Sequence, residues 1–162
     1  MPLWRRLLRG ALYVALILLC GTVVVVIAYL LVLRPWQLRW GATDEEVERA
    51  MPGDDLVVGA DLDTTRAVTV EASPEEIWPW LLQIGYRRAG FYSYDRLDND
   101  GIPSAERILP EYQDLKVGDE VPLSRNSRMK VVVLEPPRAM VWDYPGDRFS
   151  WAWGLYPEGE GR

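Results

Sequence analysis

The chain has no histidine and a single cysteine, Cys20, in 162 residues. Without an imidazole there is no histidine general base, no Ser-His-Asp or Cys-His couple and no His/Cys zinc site. One cysteine cannot close an intrachain disulfide, so cysteine usage does not report the redox compartment. Any chemistry rests on Asp, Glu, Tyr, Ser, Lys or Arg, and the sequence itself calls for no cofactor and no metal.

Acid is missing from the first forty residues, which hold Arg5, Arg6, Arg9, Arg34 and Arg39. The rest of the chain carries all 24 acids against 13 bases, a formal charge of −11. So acidic a body repels phosphate backbones, which excludes nucleic acid as a partner. Charge of either sign is also missing from Gly10 to Leu33, as is proline. As a helix this stretch would span about 36 Å, enough for a hydrocarbon core of ~30 Å. Lipid offers the backbone no other hydrogen-bond partner, so the many valines do not prevent a helix there. Trp4, Trp36 and Trp40 flank the run at headgroup depth, and Pro35 is expected to stop it. A cleaved signal peptide is the rival reading, but its apolar core is shorter, ~7–15 residues, and "LVLRPWQLRW" has no small-residue cleavage pattern.

The sequence therefore divides into a basic flank (1–9), a transmembrane helix (10–33), a juxtamembrane connector (34–63) and a domain (64–162). Arg5, Arg6, Arg9 and the amino terminus slightly outweigh Arg34, Arg39 and Arg49 across the membrane. That balance favours a cytoplasmic N-terminus and an extracytoplasmic domain.

In the connector, Thr43 and Glu46 form a capping-box pair for a short helix, with Asp44 and Glu45 suited to its dipole. "TTRAVTVEA", Thr64 to Ala72, alternates as a half-exposed strand. In "SPEEIWPWLLQIG", Ser73 is an N-cap, Pro74 takes the first helical position and Glu76 closes a second capping box. Ile77, Trp78, Leu81, Leu82 and Ile84 give that helix an apolar face, and Gly85 ends it. Four strands follow: "DEVPL", "RMKVVVLE", "AMVWDY" and "FSWAWGLY", with turns at "EPPR" and "PGDR". In the second, Met129, Val131 and Val133 share a face. In the fourth, Phe149, Trp151, Trp153 and Leu155 share one, with mostly small residues opposite. This order predicts an α+β domain with a curved antiparallel sheet against helix.

The succession "SPEEIWPWLLQIG", "GFYSYDRLDN", "ERILPEYQDLKVGDEVPL" and "VVVLEPPRAMVW" resembles the START-like, polyketide-cyclase and lipid-transport (SRPBCC) superfamily. The likeness is to uncharacterised bacterial, membrane-anchored members and runs from about Thr64 onward. It implies a helix-grip fold, in which an antiparallel sheet curls round a long C-terminal helix to enclose an apolar cavity. It also implies a lipid or apolar small-molecule ligand. The superfamily has no universal catalytic residue. The sequence closes on "YPEGEGR", where the resemblance expects further strands and the gripping helix. The domain is thus expected to be C-terminally incomplete, or completed by a partner.

The densest candidate stretch is "GFYSYDRLDNDG", Gly90 to Gly101. A calcium loop with Gly101 at its sixth position would put Arg96 first and Arg107 twelfth, where carboxylates are required. "DNDG" is therefore read as a turn. Asp95, beside Tyr92 and Tyr94, is the one candidate for acid–base catalysis, with helix capping or pairing to an arginine as the structural alternative. Phe91, Tyr92, Tyr94, Trp142 and Trp151 are the candidate walls of an apolar pocket. The expected function is a membrane-anchored binding domain for an apolar small molecule or lipid. A cyclase or dehydratase using Asp95 and tyrosines, and a non-binding remnant or interaction module, are the alternatives.

Overall fold

A computed structural model of the chain describes residues 2–144, 146 and 149–157. The chain forms two units, residues 1–48 with 62–68 and residues 49–61 with 69–162.

The first unit is built on helix α1 (Leu3–Ala28), a π-helical turn (Tyr29–Leu33) and α2 (Arg34–Leu38), which run on as 36 helical residues. The helix does not stop at Pro35 as the sequence suggested. The π turn lies just ahead of the proline, where the Arg34 N–H reaches five residues back to the Tyr29 carbonyl. This wider turn makes room for the ring, and a proline opening α2 lacks only an N–H that a helix start leaves unpaired. Residues 7–37 are all exposed. Among the described residues this is the one helix long and apolar enough to cross a membrane.

A short helix α3 (Asp44–Glu48) follows. Glu46 Oε2 accepts from the Thr43 N–H at 2.8 Å and Thr43 Oγ accepts from the Glu46 N–H at 3.2 Å, which is the expected capping box. The expected strand at Thr64–Ala72 does not form. The Thr65 N–H binds the Leu38 carbonyl and the Ala67 N–H binds that of Trp40, so these donors are committed to the end of α2 and the turn after it. Val68 and Val70 remain exposed. The alternation was real, but among the described residues no strand pairs with this stretch.

The second unit packs helix α4 (Pro74–Leu82) on a four-stranded sheet. The helix has the full capping box between Ser73 and Glu76 and carries Pro79 inside it. The Ser73 N–H and hydroxyl hold the exposed Glu76 carboxyl below the usual carboxylate range. Strands β1 (Glu120–Pro122), β2 (Arg128–Glu135), β3 (Ala139–Tyr144) and β4 (Phe149–Gly154) form an open antiparallel sheet in that order. Trp78, Leu82 and Ile84 pack on Met129, Val131, Met140 and Trp142, with Leu115 and Val121 completing the core.

Strand β3 is central and buried on both faces from Ala139 to Trp142. Its back face is covered by the chain around Gly53 (φ +96°), where a Cβ would meet Val141 Cγ1 at 2.7 Å. Residues 49–61, expected as part of a connector, thus belong to the sheet unit.

Strict alternation fails in β2. Val131 pairs with Trp142 but Val133 with Val141, so Val132 is a bulge. Beyond it the faces exchange, and Leu134 joins Met129 and Val131 on the core side. The "PGDR" turn and the end of "YPEGEGR" lie largely outside the described residues.

Helix α4 has nine residues, too few to persist without tertiary packing, so its cap adds to a margin set by the core. Ser73→Ala should destabilise the second unit by about 1 kcal/mol, and Ser73→Gly by only a few tenths. Urea unfolding of the full chain in detergent, followed by tryptophan fluorescence, measures both.

Candidate functional site

The loop after α4 is organised by one buried amide. Gln83 follows the last turn and is fully buried. Its Nε2 donates to Tyr92 Oη at 2.6 Å and to the Arg107 carbonyl at 3.1 Å, and its Oε1 accepts from the Leu109 N–H at 2.8 Å. An unpaired buried amide costs about 1–3 kcal/mol, so these partners hold the side chain in place. Gly85 and Gly90 then bridge, each N–H to the other's carbonyl at 3.0 and 3.2 Å. Gly90 has φ +79°, and a Cβ there would collide with Ser104.

Tyr92 has φ +56°, uncommon for any residue but glycine, and its surroundings fix it. Its N–H donates to Ser104 Oγ at 3.1 Å, and the Ser104 hydroxyl donates to Asp95 Oδ1 at 2.6 Å. Its ring meets Trp80 edge-on, 5.9 Å between centroids. Because Tyr92 Oη accepts from Gln83, its own proton is free to be donated elsewhere. Burial raises its pKa, and the Gln83 hydrogen bond only partly offsets this, so the phenol stays protonated at neutral pH. The side chain is still 42% exposed. The geometry is that of a fixed donor beside an aromatic wall.

The other candidate residues separate. Phe91 packs against the hydrophobic core. Tyr94 is 77% exposed and precedes the short helix α5 (Asp95–Asp98) without a side-chain cap. Trp142 is fully buried and stands edge-on to Trp153 at 4.2 Å and to Trp151 at 6.0 Å. Its Nε1 has no hydrogen-bond partner among the described residues. Trp151 stacks on Trp153 at 4.8 Å. Among the described residues of the second unit the rings form two groups, Trp80 with Tyr92 and the three tryptophans of β3 and β4. Among the described residues Asp95 neither caps α5 nor joins an ion pair. It accepts the Ser104 hydroxyl's hydrogen bond and so positions the Tyr92 backbone.

The residues of "DNDG" do more than turn the chain. Asn99 is fully buried, accepts from the Arg87 N–H at 2.7 Å and donates to the Ile102 carbonyl at 2.7 Å. Asp100 Oδ2 accepts from the Tyr86 hydroxyl, from Arg87 Nη2 at 2.9 Å and from Arg125 Nη2 at 2.9 Å and Nε at 3.1 Å. An open cavity of about 300 Å³ lies between Tyr86, Asp98, Asp100, Leu123 and Arg125. None of the expected wall residues lines it, and its polar rim suits an apolar ligand poorly. Gln83 and Ser104 were not singled out in the sequence, and Asp100 entered only as part of the "DNDG" turn. Only Gln83 left a signal, as a polar residue in the apolar "WLLQIG".

The Asp100 carboxyl is held below the usual aspartate range, first by the Tyr86 hydroxyl, then by the Arg125 hydrogen bonds, with the charges of Arg125 and Arg87 adding. A carboxyl depressed in the folded state stabilises at pH values above its unfolded value and loses that contribution as pH falls through its folded value. The melting temperature of Asp100→Asn should lie below wild type at neutral pH. The gap should close as pH drops below the ordinary aspartate value of about 3.9. A gap independent of pH would remove Asp100 from this role.

No family model, no curated protein and no solved structure matches this chain.

Proposed function

We propose that the chain is a single-pass membrane protein whose second unit binds an apolar small molecule or lipid carrying one polar acceptor. Tyr92 carries this reading. It is a protonated, half-exposed donor in a constrained backbone, backed by buried Gln83 and faced by Trp80. An apolar surface with a few fixed polar groups is how small-molecule sites obtain both affinity and orientation. The long exposed apolar helix supports the membrane part, since a helix apolar on every side is unstable in water. In this reading the basic flank lies in the cytoplasm and the acidic unit outside it. Such an anchor keeps the binding unit where apolar ligands partition.

The capped helix lying on an antiparallel meander supports a START-like, helix-grip relationship. No helix follows β4 among the described residues. Asp95 serves this function as a positioning residue. Its commitment to Ser104 leaves the acid–base alternative without a supporting contact.

The test is mass spectrometry of organic extracts from the full chain purified in mild detergent. Wild type should carry an apolar compound absent from a detergent blank. Tyr92→Phe should retain about 2–10-fold less of it, the range for one net hydrogen bond. Extracts indistinguishable from the blank would defeat the reading.

A further inference from the structure

The exit of the long helix is covered by a strap, residues 64–67. The Thr65 N–H donates to the Leu38 carbonyl at 3.1 Å and the Ala67 N–H to that of Trp40 at 3.4 Å. Thr64 Oγ donates to the same Leu38 carbonyl at 2.8 Å, and Arg66 Nε to the Gln37 carbonyl at 3.2 Å. Gln37 and Leu38 belong to the last turn of α2, whose carbonyls have no helical partner, so the strap caps the helix as it packs on it. The approach is close enough to need a glycine. Gly41 has φ +77°, and a Cβ there would collide with the Ala67 carbonyl.

Between the strap, α2 and α3 lies an open groove of about 280 Å³, walled by Pro35, Leu38 and Val47 with Arg39 and Asp63 beside them. All of these residues belong to the first unit. The helix sets the depth of the groove. The uncharged run ends at Leu33, and Arg34 is the first charge after it. At 1.5 Å per residue, Pro35 and Leu38 stand about 3 and 8 Å beyond Leu33. The headgroup layer of a bilayer is about 5–8 Å deep on each side of the hydrocarbon. Trp36 and Trp40, both exposed and 6.3 Å apart between ring centroids, are of the residue type that settles in that layer.

The groove combines apolar walls with one charge of each sign. Arg39 gives one nitrogen to Asp44 and is still 46% exposed, so its guanidinium keeps donors for a phosphate. Asp63 is exposed and joins no ion pair among the described residues. A phosphate beside Arg39 and an ammonium beside Asp63 would answer both charges. A headgroup with a phosphate alone would leave the Asp63 carboxylate facing a like charge. The groove falls just below the ~300–1,000 Å³ of small-molecule clefts, so it suits the headgroup and first methylenes of a lipid, with the chains left in the bilayer.

We infer that this groove holds one phospholipid of the surrounding bilayer, with both a phosphate and a primary amine in its headgroup. Such a site presupposes the membrane span proposed above and is separate from Tyr92. Arg39 takes the phosphate, Asp63 selects the amine, and Pro35, Leu38 and Val47 receive the upper methylenes.

The test is native mass spectrometry of the full chain, released from mild detergent after mixing with equal amounts of phosphatidylethanolamine and phosphatidylglycerol. Wild type should carry one phosphatidylethanolamine per chain, about 2–5-fold more often than phosphatidylglycerol, the range for one exposed ion pair. Asp63→Asn, at an exposed position, should keep the fold and abolish the preference. Tyr92→Phe should leave it unchanged, which separates this lipid from a ligand held at Tyr92. Equal binding of the two lipids to wild type, or a preference that survives Asp63→Asn, overturns the site. Carbonate extraction of the chain from reconstituted vesicles is measured alongside. A chain that carbonate strips away defeats the membrane span and this site with it, whereas a chain that stays and shows no preference defeats this site alone.

Discussion

A single buried amide at the end of α4 holds the candidate site together. Gln83 ties the helix terminus to Tyr92, to the Arg107 carbonyl and to the Leu109 N–H, joining three points of a long irregular segment. A segment without strand or helix must find partners for its backbone elsewhere. Here a side chain supplies them, and Asn99 does the same one turn further on. The Gly85–Gly90 bridge, the Ser104–Asp95 contact and the backbone of Tyr92 all lie inside the frame so made. Tyr92 keeps an unusual conformation because the groups around it leave no alternative.

Around this frame the unit separates polar and apolar work. Asp100 gathers Tyr86, Arg87 and Arg125 on one oxygen, joining the loop to the turn between β1 and β2 near the surface. Exposed ion pairs of this kind are worth little singly, so their main effect is to set geometry. The apolar work falls to α4 and the central strands, where Trp142 and Met140 meet Trp78 and Leu82. The aromatic face continues onto β4, where Phe149 and Trp151 remain partly exposed.

Much of the architecture was legible along the chain. Both capping boxes, Thr43 with Glu46 and Ser73 with Glu76, follow from spacing alone and form as expected. Strands β2 and β3 span the stretches read from alternation. The failures have local causes. Residues 64–72 alternate like a strand, but a strand needs a partner and the donors there found carbonyls near α2 instead. Pro35 reads as a stop, yet a π turn accommodates it. Val132 looks like one more alternating position, but the bulge exchanges the faces beyond it. Among the candidate residues, Tyr92 gains a partner and a wall, whereas Tyr94 remains in solvent and Phe91 serves the core.

The sequence by itself determined what is local or compositional. These are the long uncharged apolar stretch, the capped starts of α3 and α4, the four-strand meander, and the exclusion of histidine chemistry and of an intrachain disulfide. Each depends on residue type and on spacings of a few positions, which a chain carries in one dimension. The tertiary structure alone decided which of the clustered aromatics and acids meet. It brought Gln83 to Tyr92, Ser104 between Tyr92 and Asp95, and Asp100 to Arg125, across separations of 9 to 25 residues. Such pairings depend on how an irregular loop closes over a core, and no periodicity in the chain encodes that closure.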